Sequence, residues 1–354
     1  MKKIGIITYQ RAHNYGAILQ CLALQEFIKE NADVSVSIID YKPKFLKYYN
    51  YFLLSRFSLK HPVIFIKEIF FFRRRYKRFC AFDNFISKYL MLNKDYSDNL
   101  SEYDVIIIGS DQLWNINNTD GIFDKMYWGN FKTDNKPRLI TYAVSMGGCV
   151  NIDWTCVKKN VLNFQSISVR EKYLQDNLKQ YADCKSQWVL DPTLLQNRFF
   201  WLKLTVSVTP TRPYLFYYQA RNKPLALQYA KEVAKKMNLE FIYVSAHIML
   251  PNSREGIAAN PIEFLNLLRN AKYVITSSFH GTVFCIQFHK DFSTLLLNDG
   301  EDGRSLSLLY SLGLSKHLVT LTEPICGCPT NWQDVDKVLE NQREKSKNWL
   351  LNNI

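Results

Sequence analysis

The feature that most constrains this chain is an alternation: short, almost wholly apolar runs rich in Ile, Val, Tyr and Phe, each followed by a segment of helical periodicity. Residues 3–9 (KIGIITY) form the first run. After the loop QRAHNYG, residues 17–30 (AILQCLALQEFIKE) place Ile18, Cys21, Leu22, Leu24, Gln25 and Ile28 at near-helical spacing, and residues 34–40 (VSVSIID) read as a second strand. Together they predict a βαβ unit, which needs a parallel sheet covered by helices.

The pattern continues. DVIIIGSD (104–111), RLITYAVSMGG (138–148) and SISVR (166–170) are strand-to-loop transitions, EKYLQDNLKQYA is a helix, and in WVLDPTLL Pro192 closes a strand. Residues 209–213 (TPTRP) carry two prolines in four residues and mark a linker. Beyond them YLFYYQ, FIYVS, YVIT and FSTLLL read as strands, separated by helices that start at Pro224, at PIEFLNLLRNA and at TVFCIQFH. A chain of 354 residues with 47% hydrophobic content exceeds what one core usually organises, so two units are expected. The predicted organisation is α/β: a Rossmann-like domain over 1–209, a second Rossmann-like domain over 210–330, and a C-terminal helix over 331–354 that can pack back on the first. Ligands of open α/β sheets bind outside the strand C-termini, so both sheets should face one central cleft.

Charge is uneven. Of the net +13, residues 42–82 contribute eleven Lys or Arg against the single acid Glu68, interleaved with Phe, Tyr and Leu. This basic aromatic insertion suits an anionic membrane surface; helices packed on the domain with solvated basic faces suit it equally well. Nucleic acid is disfavoured, because no RNP, zinc-finger or helix-turn-helix pattern accompanies the charge. The longest apolar stretch, VIFIKEIFFF (63–72), is too short to span a bilayer and is broken by Lys67 and Glu68, and the N-terminus lacks a signal-peptide core. The expected location is the cytoplasm, either free or at the inner face of the cytoplasmic membrane. The eight cysteines are scattered, and Cys326-Gly-Cys328 matches neither zinc-ribbon nor redox spacing, so reduced thiols are expected.

Polar clusters sit where strands end. In TSSFHGTVFC (276–285), Ser277 or Ser278 can cap a helix that begins near His280, and with Gly281 and Thr282 this turn offers an anion the free N–H groups of a helix start. His280 is then either a proton-transfer group or a structurally bonded side chain of a capping loop; His289, nine residues on, faces the other way. Arg170, at the end of SISVR, and Arg304, at the start of the helix after GEDG, can hold phosphate or carboxylate, although Arg170 has Glu171 beside it as a salt-bridge partner. In the first domain His13, Asn14 and Tyr15 precede a helix with a lone Gly16, so the three glycines of a dinucleotide site are missing. Asp111, Gln112 and Trp114 in GSDQLWN suit sugar hydroxyls and a sugar's apolar face. Asp334 and Asp336 resemble a metal motif, but two residues apart on a helix they do not share a face, and no metal is expected.

Taken in order, ITYQRAHNYGAILQCLALQ, VIIIGSDQLWN, ITYAVSMGG, ISVREKYL, VLDPTLL, TSSFHGTVFCIQFHKDF and RSLSLLYSLGL resemble the polysaccharide pyruvyl transferase family and span most of the chain. The resemblance implies a GT-B-like fold. It also implies transfer of the enolpyruvyl unit of phosphoenolpyruvate to two sugar hydroxyls as a cyclic ketal, with release of phosphate and no further cofactor. On this reading the acceptor is a cell-wall or capsular polysaccharide or its lipid-linked precursor, such as a polyprenyl-diphosphate-linked oligosaccharide. Arg170, His280 and Arg304 inherit the family's basic and histidine positions. His280 and Asp111 would be catalytic, Arg170, Ser277, Ser278, Gly281, Thr282 and Arg304 would hold the donor, and His13, Asn14, Tyr15, Gln112 and Trp114 would face the acceptor. A GT-B glycosyltransferase using a nucleotide sugar and a non-catalytic glycan-binding protein are the alternatives.

Overall fold

The structure, a computed structural model, describes residues 1–43, 45, 62–95, 100–149, 151–221, 223–246, 257–323, 325 and 329–354. The Cys326–Cys328 pair and residues 44 and 46–61 of the basic insertion lie outside them.

Seven strands form the first sheet: β1 (Lys2–Ile7), β2 (Val34–Ile39), β3 (Leu92–Asn93), β4 (Val105–Asp111), β5 (Arg138–Val144), β6 (Ser166–Val169) and β7 (Gln187–Trp188). They run parallel in the order β3-β2-β1-β4-β5-β6-β7. The second sheet holds β8 (Tyr214–Gln219), β9 (Glu240–Ser245), β10 (Tyr273–Thr276), β11 (Phe292–Leu295) and β12 (Leu318–Val319), also parallel, in the order β12-β11-β10-β8-β9. Each sheet reverses its winding once, between β1 and β4 and between β8 and β10, and these switch points are where the loops part to admit a ligand. The expected pair of Rossmann-like domains, GT-B-like in arrangement, is the architecture observed.

The helices are α1 (Tyr15–Asn31), α2 (Pro62–Tyr89), α3 (Trp154–Val161), α4 (Lys172–Ala182), α5 (Pro192–Leu195), α6 (Arg198–Leu204), α7 (Pro224–Lys236), α8 (Pro261–Asn270), α9 (Phe279–Gln287), α10 (Gly303–Ser311) and α11 (Trp332–Leu351). Strand alternation explains the layering, because successive side chains leave opposite faces. Val105 and Ile107 of β4 enter one apolar cluster while Ile106 and Ile108 enter another; Tyr214, Phe216 and Tyr218 of β8 face the first cluster, whereas Leu215 and Tyr217 face a third. That first cluster is shared by both domains. It runs from Ile4, Tyr15 and Leu19 to Phe264, Val283 and Phe284, so the domains meet through a continuous core.

Three connections fix the domains further. Arg78 of α2 donates from Nη1 to Ser245 O (2.7 Å) and from Nη2 to His13 O (2.9 Å), with its guanidinium 5.2 Å from both the Tyr15 and Phe82 ring centres. This residue of the basic insertion is therefore an interdomain strut, not part of a solvated face. Helix α11 returns to the first sheet: Arg343 Nε donates to Leu194 O (2.9 Å), and Ser346 Oγ accepts from Leu190 N (3.0 Å). At its start Asp336 meets His289 Nε2 at 3.0 Å.

Candidate active site

The turn after β10 is built by its own hydroxyls. Ser278 caps α9 by accepting from Gly281 N (3.3 Å), while its own N–H donates to Thr276 Oγ1 (3.0 Å). Thr282 Oγ1 donates to Ser278 O (3.1 Å) and lies 2.8 Å from Thr294 Oγ1. A Cβ on residue 281 would come within 2.2 Å of Thr276 Oγ1, so glycine is required there. Ser278, Gly281 and Thr282 thus spend their polar groups on shaping the turn, and Ser277 O accepts from Arg221 Nη2 (2.9 Å).

This turn delivers His280, which is 6% exposed, into the seam between the domains. Its Nε2 lies 3.6 Å from Asp191 Oδ2 and has no hydrogen-bond partner. Its Nδ1 edge presses on the start of α1, where a Cβ added to Gly16 would sit 2.0 Å from Nδ1 and 2.3 Å from Cγ. The lone glycine after RAHNY, which fits no phosphate-binding loop, is there to admit an imidazole from the other domain.

Around Asp191 lies a buried charge cluster. Arg170 donates from Nη1 to Asp191 Oδ2 (2.8 Å) and from Nε to Glu171 Oε1 (3.1 Å), and its Nη2 is 3.5 Å from Asp111 Oδ1. Asp191 caps α5, its Oδ1 accepting from Thr193 N (2.9 Å) and Thr193 Oγ1 (2.5 Å). Burial alone would raise its carboxyl pKa, but His280, Arg170 and Thr193 outweigh that and hold it well below the usual range. For Arg170 burial works against the charged form, and the three acids overcome it to raise its pKa. Glu171 goes the other way: burial dominates and raises its pKa, although Arg170 and Ser145 Oγ (2.8 Å) oppose it. Asp111 holds a left-handed φ of +80°, rare for a residue with a side chain, and its carbonyl accepts from Leu113 N (2.9 Å) and Ser145 N (3.0 Å). Arg170, expected at the donor, has its three guanidinium nitrogens each facing a carboxylate and is the hub of this cluster.

Arg304 lies across the cleft from this cluster. Its guanidinium carbon is 5.9 Å from the Phe279 ring centre, that of Arg170 is 4.8 Å from the same ring, and its Nη2 donates to Glu301 Oε2 (3.0 Å). Gln112 Nε2 donates to the same oxygen (3.0 Å), and Gly148 N donates to Glu301 Oε1 (3.3 Å). Arg221, at the end of β8, pairs with Asp299 and with Asp302 (2.7 Å), so it supports the loop that carries Glu301.

Of the expected acceptor residues, Tyr15 and Trp114 lie in the core, and Asn14 and His13 are engaged in capping and stacking. Tyr15 is fully buried, stacked on Phe264 with ring centres 4.5 Å apart and donating to Ala259 O (2.8 Å), so it belongs to the interdomain core. Trp114 is buried against Trp128 at 4.3 Å with its Nε1 on Tyr127 O, so it offers a sugar no face. Asn14 caps α1, accepting from Gly16 N (2.9 Å) and Ala17 N (3.3 Å). His13 stacks on Phe82 at 5.2 Å, and burial, with Arg78 and Arg11 adding to it, lowers its pKa to about 4. His280, Asp111, Gln112 and Arg304 do converge on the cleft, joined by Gly16, Asp191, Glu171 and Glu301. A cap-and-proline signal, Asp191-Pro192, marked the turn without revealing its partners.

A family model for polysaccharide pyruvyl transferases matches residues 14–295. Among solved structures the chain is similar to the S. aureus MnaA–UDP co-structure, with 12% identity over 98% of this chain and 91% of that one and a TM-score of 0.48. It is also similar to the UDP-GlcNAc 2-epimerase of Neisseria meningitidis bound to UDP-GlcNAc, with 11% identity, 98% and 94% coverage and a TM-score of 0.47. No curated protein sequence matches the chain.

Proposed function

Because the chain belongs to the polysaccharide pyruvyl transferase family, and is thereby a polysaccharide pyruvyltransferase, we propose that its donor is phosphoenolpyruvate and its product a cyclic pyruvate ketal on two hydroxyls of one sugar. The observation that carries this reading is the orphaned His280 Nε2, buried at the seam of two domains beside a carboxylate whose negative charge is strongly favoured. A buried polar atom without a partner marks a place where a ligand completes the bonding.

The reaction balances with one proton carrier. A proton adds to the methylene carbon of phosphoenolpyruvate, giving a methyl group and an oxocarbenium-like carbon; one sugar hydroxyl adds to it, the carbon–oxygen bond to phosphate breaks, and the second hydroxyl closes the ketal. One hydroxyl proton ends on the methyl group and the other on the released phosphate. His280 moves the proton at Nε2, Asp191, 3.6 Å away, orients the ring, Asp111 accepts from an acceptor hydroxyl, and Arg304 holds the donor anion. The test is phosphate release from phosphoenolpyruvate on adding candidate glycans. His280→Ala should lower kcat on the order of 10²–10⁴-fold with little change in donor binding, whereas release of nucleotide from a sugar nucleotide instead would remove the reading.

We further propose that the acceptor is lipid-linked and that the outer face of α2 meets an anionic membrane. Ile66, Ile69, Phe72 and Tyr76 are exposed large apolar residues at helical spacing, with Arg73 and Lys77 exposed among them. Such a face suits the interface of an anionic bilayer. Arg73→Glu with Lys77→Glu should abolish co-sedimentation with phosphatidylglycerol vesicles; undiminished binding would refute it.

A further inference from the structure

Glu301 sits where donors from both domains converge. Its carboxylate takes three donors at once: the Arg304 guanidinium (3.0 Å) from α10, the Gln112 amide (3.0 Å) from the loop after β4, and the Gly148 N–H (3.3 Å) from the loop after β5. A guanidinium, an amide and a backbone N–H converging from two domains form a receptor for a carboxylate or phosphate. The receptor is built around these donors. Gln112 Oε1 accepts from Asn118 Nδ2 (3.2 Å), which turns the amide N–H toward Glu301. At Gly147, φ is +57° and a Cβ would lie 1.9 Å from Gln112 Nε2, while a Cβ on Gly148 would lie 2.3 Å from Gly300 O. The double glycine of SMGG therefore opens space for the cradle. Arg304 also keeps its Nε buried and without a partner, so the cradle has donor capacity that Glu301 does not use.

The loop's backbone is held independently of the Glu301 side chain: Glu301 N donates to Asp299 Oδ1 (3.3 Å), and Asp299 pairs with Arg221. Asp302 accepts from Leu297 N (2.9 Å) and Asn298 N (2.7 Å) and pairs with Arg221, whereas Glu301 follows Gly300 at φ +83° and its side chain is 29% exposed. Rotation of that one side chain vacates the cradle without moving the base.

We propose that Arg304, Gln112 and the Gly148 N–H form an anion subsite, that Glu301 fills it as a tethered stand-in when no donor is bound, and that the donor's carboxylate or phosphate displaces it. The identity of that anion as phosphoenolpyruvate rests on the function proposed above; the subsite itself does not. Calorimetric titration of the native protein, Glu301→Ala and Glu301→Ala/Gln112→Leu with phosphoenolpyruvate, UDP and inorganic phosphate tests it. Removing the tethered competitor should tighten phosphoenolpyruvate binding on the order of fivefold, the worth of a partly exposed ion pair, and the added Gln112→Leu should cancel the gain. Loss of a negative charge alone would also strengthen anion binding, but that gain would survive Gln112→Leu. A gain that survives it, or no gain for any of the three anions in variants with native circular dichroism and melting, overturns the subsite. A gain for UDP in place of phosphoenolpyruvate keeps the subsite and removes the pyruvyl donor.

Discussion

Gly16→Ala separates stability from activity in a way the seam geometry makes specific. Position 16 lies in the first turn of α1 with no positive φ, so alanine fits the backbone, and in isolation it should favour the helix by about 0.5–1 kcal/mol. Its methyl, however, would sit 2.0, 2.3 and 2.7 Å from His280 Nδ1, Cγ and Cε1. Carbon contacts settle near ~3.5 Å, so the imidazole must retreat by about 1 Å or more, away from α1 and relative to Asp191. Overpacking of this size costs about 1–3 kcal/mol, leaving a net loss of roughly 0–2.5 kcal/mol once the helix gain is counted. Activity should suffer far more, because a misplacement of ~1 Å can cost on the order of 100-fold in rate. The assay is initial phosphate release at saturating phosphoenolpyruvate, with thermal melting run alongside. His280→Ala supplies the control: with the ring gone, Gly16→Ala should become neutral or stabilising. A Gly16→Ala enzyme with native kcat, or one equally destabilised whether or not His280 is present, would refute the account.

Two further outcomes follow from the buried charges. Arg170→Met leaves Asp191, Asp111 and Glu171 without their shared cation and should lower stability by about 3–5 kcal/mol, read as a fall in denaturant midpoint; adding Asp191→Asn should recover part of it, and a second loss of equal size would contradict the shared-cation picture. His13 titrates near 4 in the fold against about 6.5 in the unfolded chain. The unfolded chain therefore takes up this proton first, so stability should fall as pH drops from about 6.5 to about 4, by at most about 3 kcal/mol. His13→Phe should flatten that part of the urea-midpoint profile, and an unchanged slope would place the dependence on other groups.

Strand positions were readable because their composition is one-sided. β4, β8 and β10 are buried along their whole length around apolar runs (VIII, YLFYY, YVI), and β1 is buried over its last four residues, IGII; a run buried on both faces leaves little doubt about its state. The helix start at Ser278 and the helices led by Pro224 and Pro261 were readable for the same local reason, since caps and Pro at N1 act over three or four residues; Pro192, read as closing a strand, instead opens α5. Tyr15 and Trp114 were misread because their types suit both a sugar platform and a core, and only the partner ring, Phe264 or Trp128, decides. Arg78 shows the same limit. In the sequence it is one of eleven basic residues, and its burial depends on Ser245, 167 residues away.

The charge cluster was the hardest part to see, yet its logic is topological. In a parallel sheet, strands adjacent in space present their C-terminal loops side by side, whatever lies between them in sequence. β4, β5, β6 and β7 are neighbours in that order, so Asp111 ending β4, Ser145 after β5, Arg170 and Glu171 after β6 and Asp191 after β7 must fall in a row along one edge. Taken singly, each of these residues has an ordinary explanation as a cap, a turn or a surface arginine. Placed in strand order, they put one guanidinium among three carboxylates, a surplus of negative charge in the first domain that a cationic or proton-carrying group must meet. The second domain supplies His280 from the start of α9, after β10, and Arg304 from the start of α10, and Gly16 is the gap through which the histidine reaches the row. The proposed catalytic arrangement is thus a consequence of two strand orders facing each other, with one missing side chain at the point of contact.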